Sequence, residues 1–351
     1  MSRKLITIST IMTLMSTSVI ADVPNVAADI APIHSLVSRV MDGVGAPKLI
    51  VQSGASPHGY RLRPSEAKAL QDADHVFWMG EELTPWLDSA IGTLASKASV
   101  TTLLDQQGVI LHDFREGALF EAHDHSAHGD DDHDDHDDHD DHDDHKDHDD
   151  HDDHKDHDDD DDHDDHDDHD DHKDHDDHDD HGSHDPHAWL SPENAKLWLN
   201  IIASKLSVSD PENAATYFMN AAAGQAEIEA MIAEVSATLK PVQGGKFVVF
   251  HDAYQYFEND FDFYASGAIS LGDSSDPSPA RIKKVQKRIR DEAIQCVLAE
   301  PQFKKGLVAT VMEGSDATAS VIDPLGAELE AGPKLYTRLI KNMAKTLRNC
   351  L

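Results

Sequence analysis

Cysteine is almost absent from this chain. Only Cys296 and Cys350 occur, and without companion cysteines an all-thiolate zinc site cannot be built. Basic residues are heavily outnumbered: 29 Lys and Arg stand against 68 Asp and Glu, for a formal charge of −39. Such a surface repels nucleic acid and anionic lipid and attracts cations. Beyond Ile20 no apolar stretch is long enough to span a bilayer. No G-x-S-x-G nucleophile motif occurs. Between Ala127 and Ala188 there is no aliphatic, Phe, Tyr or Trp side chain apart from the Pro186 ring. That stretch cannot bury a core and is expected to be disordered without metal.

What fills it is histidine and aspartate. From His133 to His187 every histidine falls on a three-residue period that misses one beat, at Asp160. The repeat comprises His133, His136, His139, His142, His145, His148, His151, His154, His157, His163, His166, His169, His172, His175, His178, His181 and His184, all candidate weak metal ligands. Residues 123–184 hold 34 Asp and 3 Lys, a net of −31, which leaves −8 for the rest. The body is therefore a mildly acidic globule carrying one extreme insert. Solubility alone would not require a histidine at every third position, so a metal-collecting role is expected in preference to a plain solvated polyanion. Each capture must order a flexible chain, which keeps its affinity modest.

The N-terminus reads as a secretory signal. Arg3 and Lys4 precede an apolar stretch from Leu5 to about Ile20, and Val19 and Ala21 suit small-residue cleavage. Residues 1–21 would be removed, leaving a soluble exported protein. No cysteine stands at the cleavage point to take a lipid anchor. In an oxidising compartment the Cys296 and Cys350 pair is most simply a disulfide; two buried free thiols are the alternative.

The 351 residues suffice for two domains. Helical spacing is expected over Asp29–Val44, Pro64–Ala73, Thr84–Leu94, Ser191–Leu206, Pro279–Glu292 and Lys334–Cys350. Short apolar runs at Lys48–Val51, His75–Trp78, Val100–Leu104, Val109–Leu111, Phe247–Phe250, Tyr264–Ile269 and Cys296–Ala299 read as strands. Asp210 to Leu239 carries one apolar stripe through Ile228, Met231, Ile232, Val235 and Leu239. Its roughly 29 residues would span about 43 Å, long enough for a rigid connector. The fold class is α/β: two lobes joined by one long helix. The boundaries are drawn at 22–208 for the first lobe, 209–240 for the connector and 241–351 for the second lobe.

Imidazole and carboxylate ligands for zinc are usually delivered from loops at strand ends. Four residues are so placed: His58, His187, His251 and Asp323. Singly, each is more often a core or surface residue. Together, at the carboxyl ends of apolar runs in alternating α/β lobes, they mark a ligand crevice. Glu81 and Glu82 read as a solvated loop, and Trp78, Trp86 and Trp198 as core packing. Arg281, Lys283, Lys284, Lys287, Arg288 and Arg290 read as the solvated face of a basic helix, with docking to a permease as the alternative. His34, His75 and His112 read as structural or surface residues.

The stretches GASPHGYRLRPSEAKALQDAD, DPHAWLSPENAKLW, KFVVFHDAYQYFE, AEPQF and IDPLG closely resemble those of periplasmic zinc-binding proteins of the ZnuA type. These are substrate-binding components of ABC zinc importers. The resemblance spans nearly all of the chain outside the insert and signal. It implies two pseudo-symmetric lobes, a rigid backbone helix, Zn2+ in the interlobe cleft, a monomer, and an inner-membrane ABC permease as partner with a periplasmic zinc chaperone as a further one. It implies His58 and His187 as ligands from the first lobe, and His251 and Asp323 from the second. Cys296 and Cys350 match the disulfide of zinc-specific members. One departure stands out: where some members have Glu before the first histidine, this chain has Pro57. Asp323 or a water must then complete the shell. Manganese-binding relatives carry a carboxylate where His251 stands here, and three imidazoles favour zinc over manganese. Two rival functions remain at this level: a periplasmic hydrolase with water as fourth ligand, and a metal buffer or adhesin without a transporter. A closed shell, unlike the hydrolase's, would bind metal without activating water, so no enzymatic activity is expected.

Overall fold

The computed structural model describes residues 23–115, 120, 184–270, 272, 277–302 and 305–351. The signal segment and the insert histidines from His133 to His181 lie outside the described residues. Two four-stranded sheets organise the rest. The first comprises β1 (Val26–Ala28), β2 (Lys48–Leu49), β3 (His75–Trp78) and β4 (Ser99–Thr102), in the order β2-β1-β3-β4. The second comprises β5 (Phe247–His251), β6 (Ala268–Ser270), β7 (Cys296–Ala299) and β8 (Thr318–Val321), in the order β6-β5-β7-β8. Every pairing is parallel. Parallel strands covered on both faces carry continuous apolar runs, and HVFW and FVVFH are buried throughout.

In the first lobe α1 (Ala31–Val40), α2 (Pro64–Gln71) and α3 (Pro85–Leu94) connect the strands, each with proline in its first turn. After the insert, α4 (Pro192–Ser209) starts at Ser191, whose Oγ accepts the Asn194 N–H at 3.3 Å. The second lobe adds α6 (Gln255–Phe261), α7 (Pro279–Asp291), α8 (Lys305–Met312) and α9 (Leu335–Cys350). Between the sheets runs α5 (Ala214–Leu239), 26 residues long and continued by one 3-10 turn. Ile228, Met231, Val235 and Leu239 of the expected stripe are buried, and Ile232 packs partly against the same core. Through that stripe α5 packs on α1 and α4 at one end and α9 at the other.

Several boundaries differ from expectation. β1 was hidden because three residues, VAA, are too short to show a period; the helix begins only at Ala31. No strand forms at 109–111. Asn194 takes that backbone instead, accepting Ile110 N–H at 2.8 Å and donating to Ile110 O at 2.9 Å. β6 starts at Ala268 rather than Tyr264, which is 54% exposed. α5 starts later because Asp210 ends α4, binding Asn213 Nδ2 at 2.7 Å and Tyr217 Oη at 2.8 Å. α8 was not expected at all. Among the described residues no helix is long and apolar enough to cross a membrane.

Cys296 and Cys350 form a disulfide, with Cα atoms 5.6 Å apart and a sequence separation of 54. It ties the start of β7 to the last turn of α9. Replacing both by serine should lower the unfolding free energy by about 4 kcal/mol on the chain-entropy account, read from denaturant midpoints against the parent. A second stability prediction concerns Asp29. Its fully buried carboxylate accepts the Ile30 and Met79 N–H groups, both at 2.7 Å, and so ties β1 to the end of β3. Burial pushes its carboxyl from 3.8 up to about 7. The folded state thus holds a proton that the unfolded chain gives up, so this group's contribution to stability is lost as pH rises from 4 through 7. Between pH 5 and 8 the parent should lose more stability than Asp29→Asn, with paired urea titrations as the measurement; equal losses would refute the assignment.

Candidate metal centre

Each expected cleft histidine is delivered by a different device. His58 sits in the loop after β2, opened by Gly54 at φ +84, a conformation that suits glycine. The loop is pinned to α3, where Trp86 Nε1 donates to Pro57 O at 2.7 Å, and to α2, where Tyr60 Oη donates to Glu66 Oε1 at 2.8 Å. His187 leaves the neck of the insert and enters a 3-10 turn, Ala188–Leu190. His251 is the last residue of β5.

The structure brings these three rings together. Ring centroids of His58 and His187 lie 5.5 Å apart, and those of His187 and His251 5.3 Å apart. One nitrogen from each lies within 4.8 Å of the other two. His187 and His251 are 5% and 3% exposed, while His58 is half-buried.

Two carboxylates set the tautomers. Asp185 Oδ1 stands 2.6 Å from His187 Nδ1 and also accepts the His187 backbone N–H at 2.9 Å. Glu300 Oε1 stands 2.6 Å from His251 Nδ1, and Gln302 holds its other oxygen at 2.8 Å. A carboxylate beside Nδ1 places the ring proton there and turns the Nε2 lone pair outward. The two Nε2 atoms then face each other at 3.4 Å. Two lone pairs at that distance repel each other unless a proton or a metal cation lies between them. Tetrahedral zinc with nitrogen at about 2.05 Å requires neighbouring nitrogens about 3.3 Å apart, so the spacing fits.

Asp323 is placed differently. Its Oδ1 accepts Leu325 N–H at 3.0 Å and Gly326 N–H at 2.9 Å, and its Oδ2 accepts Ala327 N–H at 2.6 Å. The IDPLG turn is therefore folded around this carboxylate, which is not part of the mutually close three-histidine group. His184, the one described member of the repeat, contacts Asp113 Oδ1 at 2.8 Å and is also outside that group. Asp113 and His184 form an antiparallel bridge, so the two ends of the insert meet at a neck.

The residues read as structural are so placed. His34 contacts Pro47 O at 3.2 Å and His75 contacts Ser209 Oγ at 2.6 Å; burial lowers the pKa of both below the usual histidine value. His112 packs on Tyr256 in a tilted ring contact with centroids 4.7 Å apart. Trp78 and Trp198 are buried. Sequence reasoning gave no role to Asp185 or Glu300. Their signal was present: each is an acid in a motif that carried the resemblance, D-P-H and A-E-P-Q-F.

The profile of the family described as zinc-uptake complex component A, periplasmic, matches residues 26–350. A high-affinity zinc uptake system protein ZnuA from Brucella abortus (strain 2308) is 47% identical over 326 residues, 93% of this chain and 91% of its own length. The protein of the same description from Paracoccus denitrificans (strain Pd 1222) is 42% identical, covering 94% of this chain and 93% of its own. Among solved structures, a crystal structure of ZnuA superposes with TM-score 0.66 at 20% identity, covering 94% of this chain and 99% of that one, which supports the two-lobe fold. With this match running from β1 to the last turn of α9, the chain belongs to the ZnuA family of periplasmic zinc-uptake components.

Proposed function

We propose that this protein captures Zn2+ in the periplasm with high affinity and delivers it to an inner-membrane ABC permease. The observation that carries this is the 3.4 Å approach of the His187 and His251 Nε2 atoms, each ring turned outward by its own carboxylate. His58, His187 and His251 supply three imidazoles, a donor set that suits zinc over manganese. Asp323 completes the shell. A carboxylate offers about four lone-pair sites, so one taking three backbone donors still has one to give. A shell filled this way binds cargo and leaves no position for an activated water, so the protein acts as a carrier rather than a hydrolase. The reading takes residues 22–208 and 241–351 as lobes, 209–240 as connector, a monomer as the working form, a periplasmic zinc chaperone as a further partner, and cleavage near Ala21. The His/Asp insert serves as an auxiliary weak collector, and adjacent carboxylates make protons compete with its metal as pH falls.

Zinc calorimetry tests the division of labour. One tight equivalent and several weak ones are expected. His251→Ala should weaken the tight step by a factor of about 100 or more, since a lost ligand also unpairs Glu300. His145→Ala should change nothing measurable. Deleting residues 123–181, which spares the His184–Asp113 bridge, should remove the weak equivalents alone; loss of the tight step would overturn the scheme. Asp323→Ala should weaken the tight step, and an unchanged Kd would give the fourth position to water.

A further inference from the structure

Apart from the three histidines, a dense cluster of buried charge lies at the neck of the insert. Arg115 Nε stands 3.0 and 3.1 Å from the two Asp252 carboxylate oxygens, and Nη2 also donates to Oδ1. Nη1 donates to Glu258 Oε2 at 2.5 Å. The side chains of Asp252 and Glu258 are 7% and 1% exposed, and that of Arg115 is 16% exposed. The Phe120 ring lies 3.6 Å from the guanidinium carbon. Arg115 thus joins the segment that leaves the first lobe after β4 to the second-lobe segment between β5 and the middle of α6.

The position of this clamp matters. Asp252 directly follows His251. On the other strand of the neck, Asp185 N donates to His112 O at 2.8 Å, and Tyr256 Oη donates to Asp185 O at 2.7 Å. Asp185 is the residue that orients His187. One guanidinium therefore holds the second-lobe backbone beside His251 against the strand pair that carries His187. A planar fork can grip two carboxylates at once, which an ammonium cannot do with the same geometry.

We propose that Arg115 is a positioning residue for the metal centre: by clamping Asp252 and Glu258 to the neck of the insert, it fixes the spacing of His187 and His251 and slows metal release. The proposal rests on the zinc-binding reading above. It assigns the neck a task separate from the collecting task of the insert, since Arg115 acts whether or not the repeat holds metal.

The test uses the full-length protein and a chelator chase of bound zinc, together with the ligand-field spectrum of the Co2+-loaded form. Arg115→Gln should release the slow zinc phase at least about tenfold faster, as loss of an outer partner does at other metal sites, and should shift the Co2+ bands. Arg115→Lys should fall between Arg115→Gln and the parent. Because an unpaired buried carboxylate can prevent folding, the triple variant Arg115→Met, Asp252→Asn, Glu258→Gln removes the clamp and its charges together, and should show the same faster release and shifted spectrum. Folding of each is checked by circular dichroism. A folded Arg115→Gln or triple variant with parental release rate and spectrum overturns the positioning role. His251→Ala runs alongside: if the parent has no slow phase that this variant removes, the zinc reading itself falls, and that failure is distinct from the first.

Discussion

Two imidazole nitrogens facing each other at 3.4 Å form the contact on which the site depends. Left to themselves, rings at that distance would turn a proton inward or swing apart. Here each is held from behind. Asp185 grips His187 through both ring and backbone, and Glu300 grips His251 while itself held by Gln302. The orienting carboxylates are 2% and 3% exposed. Buried carboxylates without partners would be costly, and here the histidine Nδ1–H groups and neighbouring donors satisfy them. The centre is thus pre-organised for a cation by groups that never touch it.

Much of the scaffold was legible in the sequence because strong periodicity survives tertiary context. HVFW, FVVF and CVLA read as strands, and each lies in one, the second extended by His251. The stripe on α5 likewise reported its own burial. Elements that failed were those whose reasons lie elsewhere in the chain. β1 is three residues long and stands as a strand because β2 and β3 flank it on both sides. The apolar run at 109–111 lost its ladder to a side chain, Asn194, that lies 84 residues on. At the centre, ligand-type residues were visible as histidines at strand ends. Their partners carried a weaker signal: Asp185 stands two residues before His187, but Glu300 acts on His251 from 49 residues away. Nor could any spacing rule have paired Arg115 with Asp252 and Glu258 across 137 and 143 positions.

The insert raises a different question: how a fold tolerates more than sixty residues with no core of their own. The bridge between Asp113 and His184 supplies the answer. It holds the chain on either side of the insert together. Loop-closure entropy grows slowly with length, by roughly 0.6 kcal/mol per doubling, so a long insert costs little more than a short one. The charge is equally well confined. The −31 of the insert leaves a body of ordinary acidity.

Hydrogen bonds tie the two lobes together. Ser35 in α1 donates to Gly332 O at 2.7 Å and accepts the Tyr336 N–H at 3.0 Å. Tyr336 Oη, buried, donates to Trp189 O at 3.0 Å, and Trp189 Nε1 donates to Pro324 O at 2.8 Å. Added to the packing of α5 on both halves, these bonds oppose a wide hinge motion, because breaking the buried ones would leave polar groups unpaired in the interior. The three histidines of the group differ in how deeply they are held. His187 and His251 are buried and braced by carboxylates, whereas His58 is half-buried on a loop anchored through Trp86 and Tyr60. His187 and His251 are thus the braced part of the three-histidine group, and His58 is its more exposed member.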